Sequence, residues 1–391
     1  MDSIIDDGSL AAEGERRARW FQEQMPLMTQ LRERFAAERP FEGMDLAICM
    51  HVEPKTGYWV KTMLAGGASH IDLVGCLGTT KPDTAAWLAR DPRVRVMARE
   101  ADTLEEHRAY CEQAMERKPQ LLLDNGASLI LTWCDKPRDW APLGGNEETR
   151  SGRLLIDESG KEIPFPVAVI DDSPLKRLLE NAIGVGQSVV DGFMRATSLL
   201  VGGRKVLTIG YGNVGHGVAD KFRAMGALTS VYDTDPVYLL KAKADGHRVS
   251  EDLSELLEEA EVVVTVTGRF HVIRTEHAAH LRDGAILCNA GHFGFEIDAD
   301  DLRAAADDVE DLGRHRELLR FGNKRVCLLE NAAPLNLSAG DGNPISIMDL
   351  GLGLQALCAE RIATGARGMH EGPQNVPDDI SAEVSRALLR L

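Results

Sequence analysis

The segment from Lys205 to Asp233 is the feature that most restricts how this chain of 391 residues can fold. An apolar run leads into glycines at positions 210, 212 and 215, and apolar residues at helical spacing follow. A second apolar run ends at Asp233, 18 residues beyond the third glycine. This order predicts a strand at 206–209, a helix that begins at the glycines, and a strand at 228–232.

Each glycine in this turn has a physical role in holding a dinucleotide. Gly210 permits the tight turn, Gly212 lets the backbone approach a pyrophosphate, and Gly215 lets the helix pack closely on the strand. The free N–H groups at the start of the helix attract phosphate oxygens. Asp233 can accept hydrogen bonds from a ribose diol, which favours NAD over NADP. The structural alternative is a glycine-rich turn without a ligand, and the acid at this spacing argues against it.

Composition narrows the class of protein. A length of 391 residues predicts two domains, and 44% hydrophobic with 27% charged residues is ordinary for a soluble globular chain. The net charge of −17 argues against nucleic acid as a partner. Seven cysteines without a C-x-x-C pair indicate reduced thiols, and no apolar run approaches the length of a membrane span. We therefore expect a cytoplasmic protein with no membrane partner and no metal.

Apolar runs alternate with helical patterns along the rest of the chain, which predicts an α/β protein with parallel sheets. We expect two Rossmann-like, doubly wound domains, the second with about six strands. Further strands are predicted at 44–50, 70–75, 94–98, 121–123, 262–266, 285–288 and 326–329. Helices are predicted at 56–66, 82–89, 103–115, 173–183, 187–200, 235–244, 275–281 and 348–364, and through most of 1–40. Prolines and glycines make 136–165 a predicted turn-rich segment.

Several stretches place reactive side chains directly after predicted strands, where open α/β sheets bind ligands. The stretches are 49–56, 121–126, 146–152, 171–192, 288–298 and 336–349. Each residue also has an ordinary structural interpretation when taken alone. His51 fits a satisfied histidine at a strand end, and Glu180, four residues after Lys176, fits a charge pair that stabilises a helix.

Six blocks in order carry a resemblance to a known family. They are WFQEQMPLMTQLRERFAAERPFEGMDLAICMHVEPKT, QSVVDGFMRAT, GYGNVGHG, VTVTG, CNAGHFGFEID and NLSAGDGNPISIMD. Over nearly its whole length the chain resembles S-adenosylhomocysteine hydrolase (adenosylhomocysteinase), in the short form of archaea and some thermophilic bacteria. The resemblance implies tightly held NAD and transient oxidation of a nucleoside 3′-hydroxyl. The ketone acidifies the C4′ proton, its removal expels the 5′ substituent, water adds, and the ketone is reduced again.

The resemblance also implies roles for single residues. Lys176 matches the lysine that assists oxidation at the 3′-hydroxyl, Glu180 lies where the family has an aspartate, and Glu148 matches the glutamate that binds the ribose hydroxyls. His51 and His292 match the two histidines of acid–base work around C4′ and C5′. The positions implied to contact NAD are Thr149, Asn181, Gly210, Gly212, Asn213, Val214, Gly215, Asp233, Thr267, Asn289 and Asn336. Residues 1–185 are then expected to bind the nucleoside, 186–345 to bind NAD, and 346–391 to pack back on the first domain, in a homotetramer.

The chain departs from the family pattern mostly around the 5′ group and the base of the expected substrate. Asn125 stands where the family has an aspartate for acid–base work, and an amide cannot take up a proton near neutral pH. Asn343 replaces a histidine of a G-H-P motif. Val185 replaces a cysteine of the long-form enzymes, which the short forms also lack, Gly294 replaces an aspartate, and Arg150-Ser151 interrupts a run of threonines.

Two enzymatic interpretations therefore stay open. One is a hydrolase of S-adenosylhomocysteine or S-inosylhomocysteine that tolerates these substitutions. The other is a nucleoside dehydratase of the kind found in antibiotic pathways, as for angustmycin, which eliminates water from an adenosine-like sugar. A third interpretation, an inactive NAD-binding regulator, is disfavoured because Lys176, His51 and His292 are present.

Overall fold

The computed structural model describes residues 2–291, 294–313 and 315–391 and divides the chain into two compact units. The first unit combines Met1–Arg177 with Ile345–Leu391, and the second unit is Leu178–Pro344. The boundary predicted at residue 185 lies inside the second unit.

The strands and helices have the following bounds. The strands are β1 Asp45–Met50, β2 His70–Gly75, β3 Val94–Met97, β4 Leu121–Asp124, β5 Gly144–Glu147, β6 Pro166–Val169, β7 Lys205–Ile209, β8 Leu228–Tyr232, β9 Arg248–Val249, β10 Val262–Thr265, β11 Ala285–Asn289, β12 Asp308–Asp311, β13 Arg316–Phe321, β14 Lys324–Leu329 and β15 Gly372–Asn375. The α-helices are α1 Ala11–Glu23, α2 Pro26–Glu38, α3 Pro54–Ala65, α4 Pro82–Ala89, α5 Leu104–Ala114, α6 Ser128–Cys134, α7 Arg150–Ser159, α8 Gly186–Thr197, α9 Asn213–Ala224, α10 Pro236–Ala244, α11 Leu253–Glu259, α12 Ala299–Ala305, α13 Leu335–Ser338, α14 Ile345–Ala363 and α15 Asp378–Leu389. Short 3₁₀ helices span Gly8–Leu10, Ile170–Asp172, Thr275–Ala279, Gly294–Glu296 and Glu330–Ala332, and Lys176–Val185 is a π-helix.

The sheet of the first unit has the strand order β15-β6-β5-β4-β1-β2-β3, and each pair of neighbouring strands is parallel. Its central strands are buried and apolar, as in Leu46, Ala47 and Ile48 of β1. Parallel strands covered on both faces need such continuous apolar runs. The strand order changes direction between β1 and β4, and ligands of open α/β sheets bind outside the carboxyl ends of the strands at that point.

The C-terminal segment belongs to the first unit. Strand β15 pairs with the edge strand β6, and α14 packs on α2 and β5. The buried Asp349 in α14 accepts hydrogen bonds from the N–H groups of Leu27 (2.9 Å) and Met28 (2.8 Å). These two groups lie in the first turn of α2, where backbone donors have no partner within the helix. Asp349 therefore joins two helices that are more than 300 residues apart in sequence.

The sheet of the second unit has the strand order β12-β13-β14-β11-β10-β7-β8-β9. Six of these strands are parallel and lie in the order β9-β8-β7-β10-β11-β14, which is the order 3-2-1-4-5-6 typical of dinucleotide-binding domains. Strands β12 and β13 add an antiparallel pair at one edge, which the sequence analysis did not predict. The two sheets confirm the predicted α/β class with two doubly wound parallel-sheet domains.

The prediction of a turn-rich segment at 136–165 missed two regular elements. This stretch contains the central strand β5 and the helix α7. The glycines of β5 are required by close packing: a Cβ on Gly145 would lie 2.1 Å from the carbonyl oxygen of Leu122 in β4. Glycines that permit such an approach look like turn glycines in a sequence. Two predicted α-helices also differ in type, since 176–185 is π-helical and 275–279 is a 3₁₀ helix.

Candidate active site

Four of the predicted site residues meet at the carboxyl edge of the first sheet. His51 follows β1, Asn125 follows β4, Glu148 follows β5, and Lys176 begins the π-helix. Glu148 lies at the centre: its Oε1 accepts a hydrogen bond from Lys176 Nζ at 3.1 Å, and its Oε2 accepts one from the Asn125 amide. Glu148, Lys176 and Asn125 are all buried. The adjacent strand ends therefore bring together side chains that are far apart in sequence.

The electrostatic setting keeps Glu148 ionised. Burial, the largest single influence, would raise the pKa of its carboxyl group, but Lys176, His51 and the Asn125 amide together outweigh it and the pKa is lowered. A buried carboxylate needs charged and hydrogen-bonded partners, and here it has a cation on one oxygen and an amide donor on the other. The result is a fixed negative charge with directed acceptor oxygens at the sheet edge.

His51 is set up as a neutral base. Burial is the main cause that lowers the pKa of its imidazole. Its Nδ1 lies 2.8 Å from Thr79 Oγ1, and that hydroxyl donates its own proton to the carbonyl oxygen of Cys76 at 3.0 Å. This network assigns the proton to Nδ1, which donates to Thr79, and leaves the basic lone pair on Nε2. Thr79 was not identified from the sequence, since no motif singles it out.

A second buried ion pair lies beside His51. Lys55 Nζ is 2.7 Å from Glu53 Oε2, and both side chains are buried. Glu53 also accepts hydrogen bonds from the N–H groups of Lys55 and Thr56 and so caps the first turn of α3. The stretch 49–56 was singled out in the sequence, but this pairing could not be predicted from it.

The glycine turn of the second unit fits a dinucleotide. Gly210 has a φ of +102°, and a Cβ on Gly215 would lie 1.9 Å from the carbonyl oxygen of Gly210. At Gly212, by contrast, a Cβ would meet none of the described atoms within 4 Å, so the space above this backbone is open. Among the described residues no side chain caps the start of α9 at Asn213 and Val214, which leaves its backbone donors to a phosphate group.

Asp233, the acid predicted to bind a ribose, is held beside this turn by hydrogen bonds from two backbone N–H groups. Asp233 Oδ2 accepts a hydrogen bond from the Tyr211 N–H group at 2.7 Å, and its Oδ1 accepts one from the Asp235 N–H group at 2.9 Å. Each carboxylate oxygen has a second lone pair, so the group can still accept hydrogen bonds from a diol. The residues present therefore fit NAD.

Apart from Thr149, the other residues implied to contact NAD lie in the second unit. Thr267 follows β10, and its N–H and hydroxyl groups donate to the buried Glu296. Asn289 ends β11. Its Nδ2 donates to the carbonyl oxygens of Gly291 and Ala332, and its Oδ1 accepts from Thr265 Oγ1 and the Gly291 N–H group. With these side-chain atoms engaged, a contact to NAD would come from the backbone of Asn289.

Asn336 belongs to a polar network around Asn343. The Asn343 Oδ1 accepts hydrogen bonds from Ser188 Oγ (2.9 Å) and Asn336 Nδ2 (3.3 Å). Its Nδ2 donates to Glu180 Oε1 at 3.2 Å. Asn343 thus donates and accepts hydrogen bonds through an uncharged amide at the position where the family pattern has a histidine. Asn181 is buried in the same unit.

Comparisons with known proteins agree with this geometry. Residues 181–342 match the family model described as S-adenosyl-L-homocysteine hydrolase, NAD binding domain. An S-inosyl-L-homocysteine hydrolase of Methanopyrus kandleri is 36% identical, over 98% of this chain and 92% of the relative. Adenosylhomocysteinases of Aquifex aeolicus and Thermococcus kodakarensis are 34% and 35% identical, over 100% and 99% of this chain and 94% and 93% of the relatives. The chain belongs to the S-adenosyl-L-homocysteine hydrolase family. This confirms the resemblance, the NAD-dependent enzyme class and the cofactor NAD.

Membership of the S-adenosyl-L-homocysteine hydrolase family does not test the roles of single residues, which stay predictions. The structure brings His51, Asn125, Glu148 and Lys176 together in the first unit, whereas Glu180 belongs to the second unit and contacts Asn343. Thr149 belongs to the first unit, where its hydroxyl caps α7 and donates to Glu147. His292 lies outside the described residues.

Two further findings limit the kind of site. Across 2–291, 294–313 and 315–391, no group of three or more His, Cys, Asp or Glu side chains is arranged to hold a metal ion. Of the helices in the described part of the chain, none combines the length and hydrophobicity needed to cross a bilayer.

Proposed function

We propose that the protein is an adenosylhomocysteinase-type enzyme that oxidises a nucleoside 3′-hydroxyl transiently and then eliminates the 5′ substituent after removal of the C4′ proton. The observation that carries this proposal is the buried Glu148 carboxylate, held between Lys176 and Asn125 next to a neutral His51. The relatives named S-inosyl-L-homocysteine hydrolase and adenosylhomocysteinase support it. In this proposal the first unit binds the nucleoside, the second unit binds NAD, and the enzyme is a homotetramer.

The second unit supplies the residues that would hold NAD. Gly212 and the N–H groups of Asn213 and Val214 would bind the pyrophosphate, and Asp233 would bind the adenosine ribose. Bound NAD supplies the reversible oxidation of a substrate alcohol. Every other step of the proposed reaction falls to side chains of the protein.

Glu148 and Lys176 would act on the ribose hydroxyls. An ionised, buried carboxylate accepts hydrogen bonds from hydroxyl groups more strongly than a neutral acceptor does. The Lys176 ammonium lies 3.1 Å from Glu148 Oε1, so a hydroxyl bound to this carboxylate is within reach of the lysine. Lys176 would hold or move the proton of the 3′-hydroxyl oxygen during oxidation and return it during reduction.

His51 would handle the proton at C4′ or C5′. Its lowered pKa keeps the imidazole neutral near pH 7, and the Thr79 contact places the lone pair on Nε2. A neutral imidazole can take up a proton, and the resulting imidazolium can return it to a leaving group or to the sugar. The fixed charge of Glu148 nearby would stabilise this imidazolium.

Asn125 supports a second candidate function, a nucleoside dehydratase. Its amide donates to Glu148 and cannot serve as an acid or base at the 5′ side. A dehydratase would stop after elimination of water from an adenosine-like sugar, whereas a hydrolase must also add water across the new double bond. Elimination and addition of water at the 5′ carbon are the reverse of each other and need the same acid–base help, so the amide at 125 favours a changed 5′ substituent.

Product analysis separates the two functions. The purified protein would be incubated in turn with S-adenosylhomocysteine, S-inosylhomocysteine and adenosine, and the products identified by mass. Release of homocysteine from either thioether supports the hydrolase, and loss of one water from a nucleoside supports the dehydratase. Unchanged substrates in all three incubations, with NAD bound to the protein, would refute both.

A further inference from the structure

Two carboxylates lie in register beneath the candidate site. Asp124 and Glu147 are Cα partners on the neighbouring parallel strands β4 and β5, and neither has exposed surface. Side chains alternate between the two faces along a strand. The residues that follow them, Asn125 and Glu148, therefore point to the opposite side, where their side chains meet.

The Glu147 carboxylate binds backbone groups from both strand ends. Its Oε1 accepts hydrogen bonds from the N–H groups of Gly126 (3.0 Å) and Thr149 (2.7 Å) and from Thr149 Oγ1 (2.6 Å). Its Oε2 accepts one from the N–H group of Ala127 (2.8 Å). Gly126 and Ala127 follow Asn125, and Thr149 follows Glu148. One side chain thus joins the segments that carry the two side chains of the site.

Neighbouring groups fix the Glu147 carboxylate in its position. A Cβ on Gly152 would lie 2.3 Å from this carboxyl group, so any larger residue at 152 would have to displace the carboxyl group. Thr149 Oγ1 in turn accepts a hydrogen bond from the Gly152 N–H group at 2.9 Å. Asp124 also binds the loop that follows β4. Its Oδ1 accepts a hydrogen bond from the Asn125 N–H group (3.0 Å), and its Oδ2 accepts one from the Ile130 N–H group (2.9 Å).

Burial of the Glu147 carboxyl group in this place costs free energy that its hydrogen-bond donors must offset. Burial is the main cause that raises its pKa, and four donors from the two loops oppose it. A buried carboxylate that accepts several backbone hydrogen bonds restricts each donor to one place. By restricting these donors, the Glu147 carboxyl group also restricts the relative position of Asn125 and Glu148.

We propose that Glu147 is a positioning residue: it holds the loops after β4 and β5 together, and so fixes the Asn125 amide against the Glu148 carboxylate that binds the nucleoside. This inference rests on the proposed function, since it assumes that Glu148 binds the ribose. Glu147 itself has no exposed surface and does not touch the substrate. It acts only through the two residues that follow the strands.

The test is a double-mutant cycle on the full-length, NAD-loaded protein, with the dissociation constants of adenosine and inosine as the readout. Glu147→Gln keeps the size of the side chain but replaces one acceptor oxygen with a donor, which faces the Ala127 N–H group or the Thr149 donors. We expect the nucleoside to bind about tenfold more weakly. In a Glu148→Gln background the same change should have no further effect, because coupled residues are not additive.

Asp349→Asn is the matched control. Asp349 is also a buried carboxylate of the first unit that accepts two backbone N–H groups, but these lie in α2. This variant should lower the unfolding temperature and leave nucleoside affinity unchanged. If Glu147→Gln does not fold, Gly152→Ala, whose Cβ displaces the carboxylate, replaces it in the same cycle.

The outcomes separate the inference from the proposed function. No binding of either nucleoside to the unaltered protein would overturn the proposed function. Binding by the unaltered protein, together with equal losses from Glu147→Gln in both backgrounds, would overturn the positioning role. A loss that disappears in the Glu148→Gln background supports it.

Discussion

Asn125 donates from its amide to Glu148 in a buried setting, and an amide offers the site no group that titrates near neutral pH. An aspartate at 125 would place a second carboxylate against Glu148. Two such groups cannot both ionise in a buried site, so they share a proton and one pKa rises. The variant would therefore carry an acid that is protonated near neutral pH, where the natural chain has only an amide.

The prediction is that Asn125→Asp increases hydrolysis of S-adenosylhomocysteine by about tenfold to a hundredfold, within the range of general acid–base catalysis. Homocysteine release, measured with a thiol reagent, checks it. Asn125→Ser is the control, since serine is neutral and supplies no acid. An unchanged or lower rate in Asn125→Asp would contradict the argument that the amide limits the 5′-side chemistry.

Glu296 provides a pH-dependent prediction at the same scale. Burial raises the pKa of this carboxyl group to about 7, although it accepts hydrogen bonds from Thr267 and Gly268. The folded state then binds the proton more tightly than the unfolded state, with its ordinary pKa near 4.5. The stability contributed by this proton is complete below pH 4.5 and is lost as the pH rises through about 7.

We therefore expect Glu296→Gln to remove part of the decline in the free energy of unfolding between pH 5 and pH 8, on the order of 3 kcal/mol. Urea unfolding at both pH values checks this. The exposed Glu276, changed to glutamine, serves as control and should leave the decline as it is. Parallel pH profiles for the natural chain and Glu296→Gln would show that the assigned titration is absent.

The residues of the candidate site were partly predictable. His51, Asn125 and Glu148 could be placed because each follows a predicted strand or a recognised motif. Their partners could not, since the spacing along the chain suggests Glu180 as a partner of Lys176, whereas no local pattern predicts the ion pair between Lys176 and Glu148, 28 residues earlier. Glu147 and Thr79 were missed because a hydrogen bond to a backbone group leaves no sequence pattern.

At the scale of elements, the turn between β7 and α9 offers a matched pair of glycines. A Cβ on Gly212 would enter open space, whereas a Cβ on Gly215 would collide with the Gly210 carbonyl oxygen at 1.9 Å. The first glycine is thus free of packing constraints from the described residues, which is consistent with the predicted approach of a pyrophosphate to its backbone. The second is required by the contact between helix and strand.

We predict that Gly212→Ala leaves the unfolding temperature of the NAD-free protein unchanged and weakens NAD binding at least tenfold, because the methyl group occupies the pyrophosphate position. Gly215→Ala should lower stability by about 1 to 3 kcal/mol. Calorimetric titration with NAD and thermal unfolding check both. Unchanged NAD affinity in Gly212→Ala would mean that the cofactor does not approach this backbone.

Elements with continuous apolar runs were predicted closely, and β2 and β8 have the predicted bounds. The failures have a common cause. Strand β5 consists of Gly144, Gly145, Asn146 and Glu147 and carries no apolar side chain, so only its neighbours make it a strand. The π-helix 176–185 likewise depends on tertiary contacts, which local propensity does not encode.

At the scale of the whole molecule, the two units use the same construction. Both sheets contain strands in the order 3-2-1-4-5-6. In each sheet a glutamate at the end of the fifth strand, or just beyond it, accepts hydrogen bonds from backbone N–H groups of the loop after the fourth strand. Glu147 does so in the first unit and Glu296 in the second. The return of 345–391 to the first unit could not be read from local patterns, because β15 and the Asp349 contacts join segments hundreds of residues apart.

The central claim is that NAD bound to this chain oxidises a nucleoside at its 3′-hydroxyl. The direct measurement is the absorbance of reduced nicotinamide after rapid mixing of the NAD-loaded protein with adenosine, with 3′-deoxyadenosine as the control ligand. We expect the absorbance with adenosine, none with the 3′-deoxy compound, and none in Lys176→Met or in Lys176→Arg, which keeps the charge beside Glu148 but cannot give up a proton. No absorbance with adenosine, inosine or S-adenosylhomocysteine would contradict the claim.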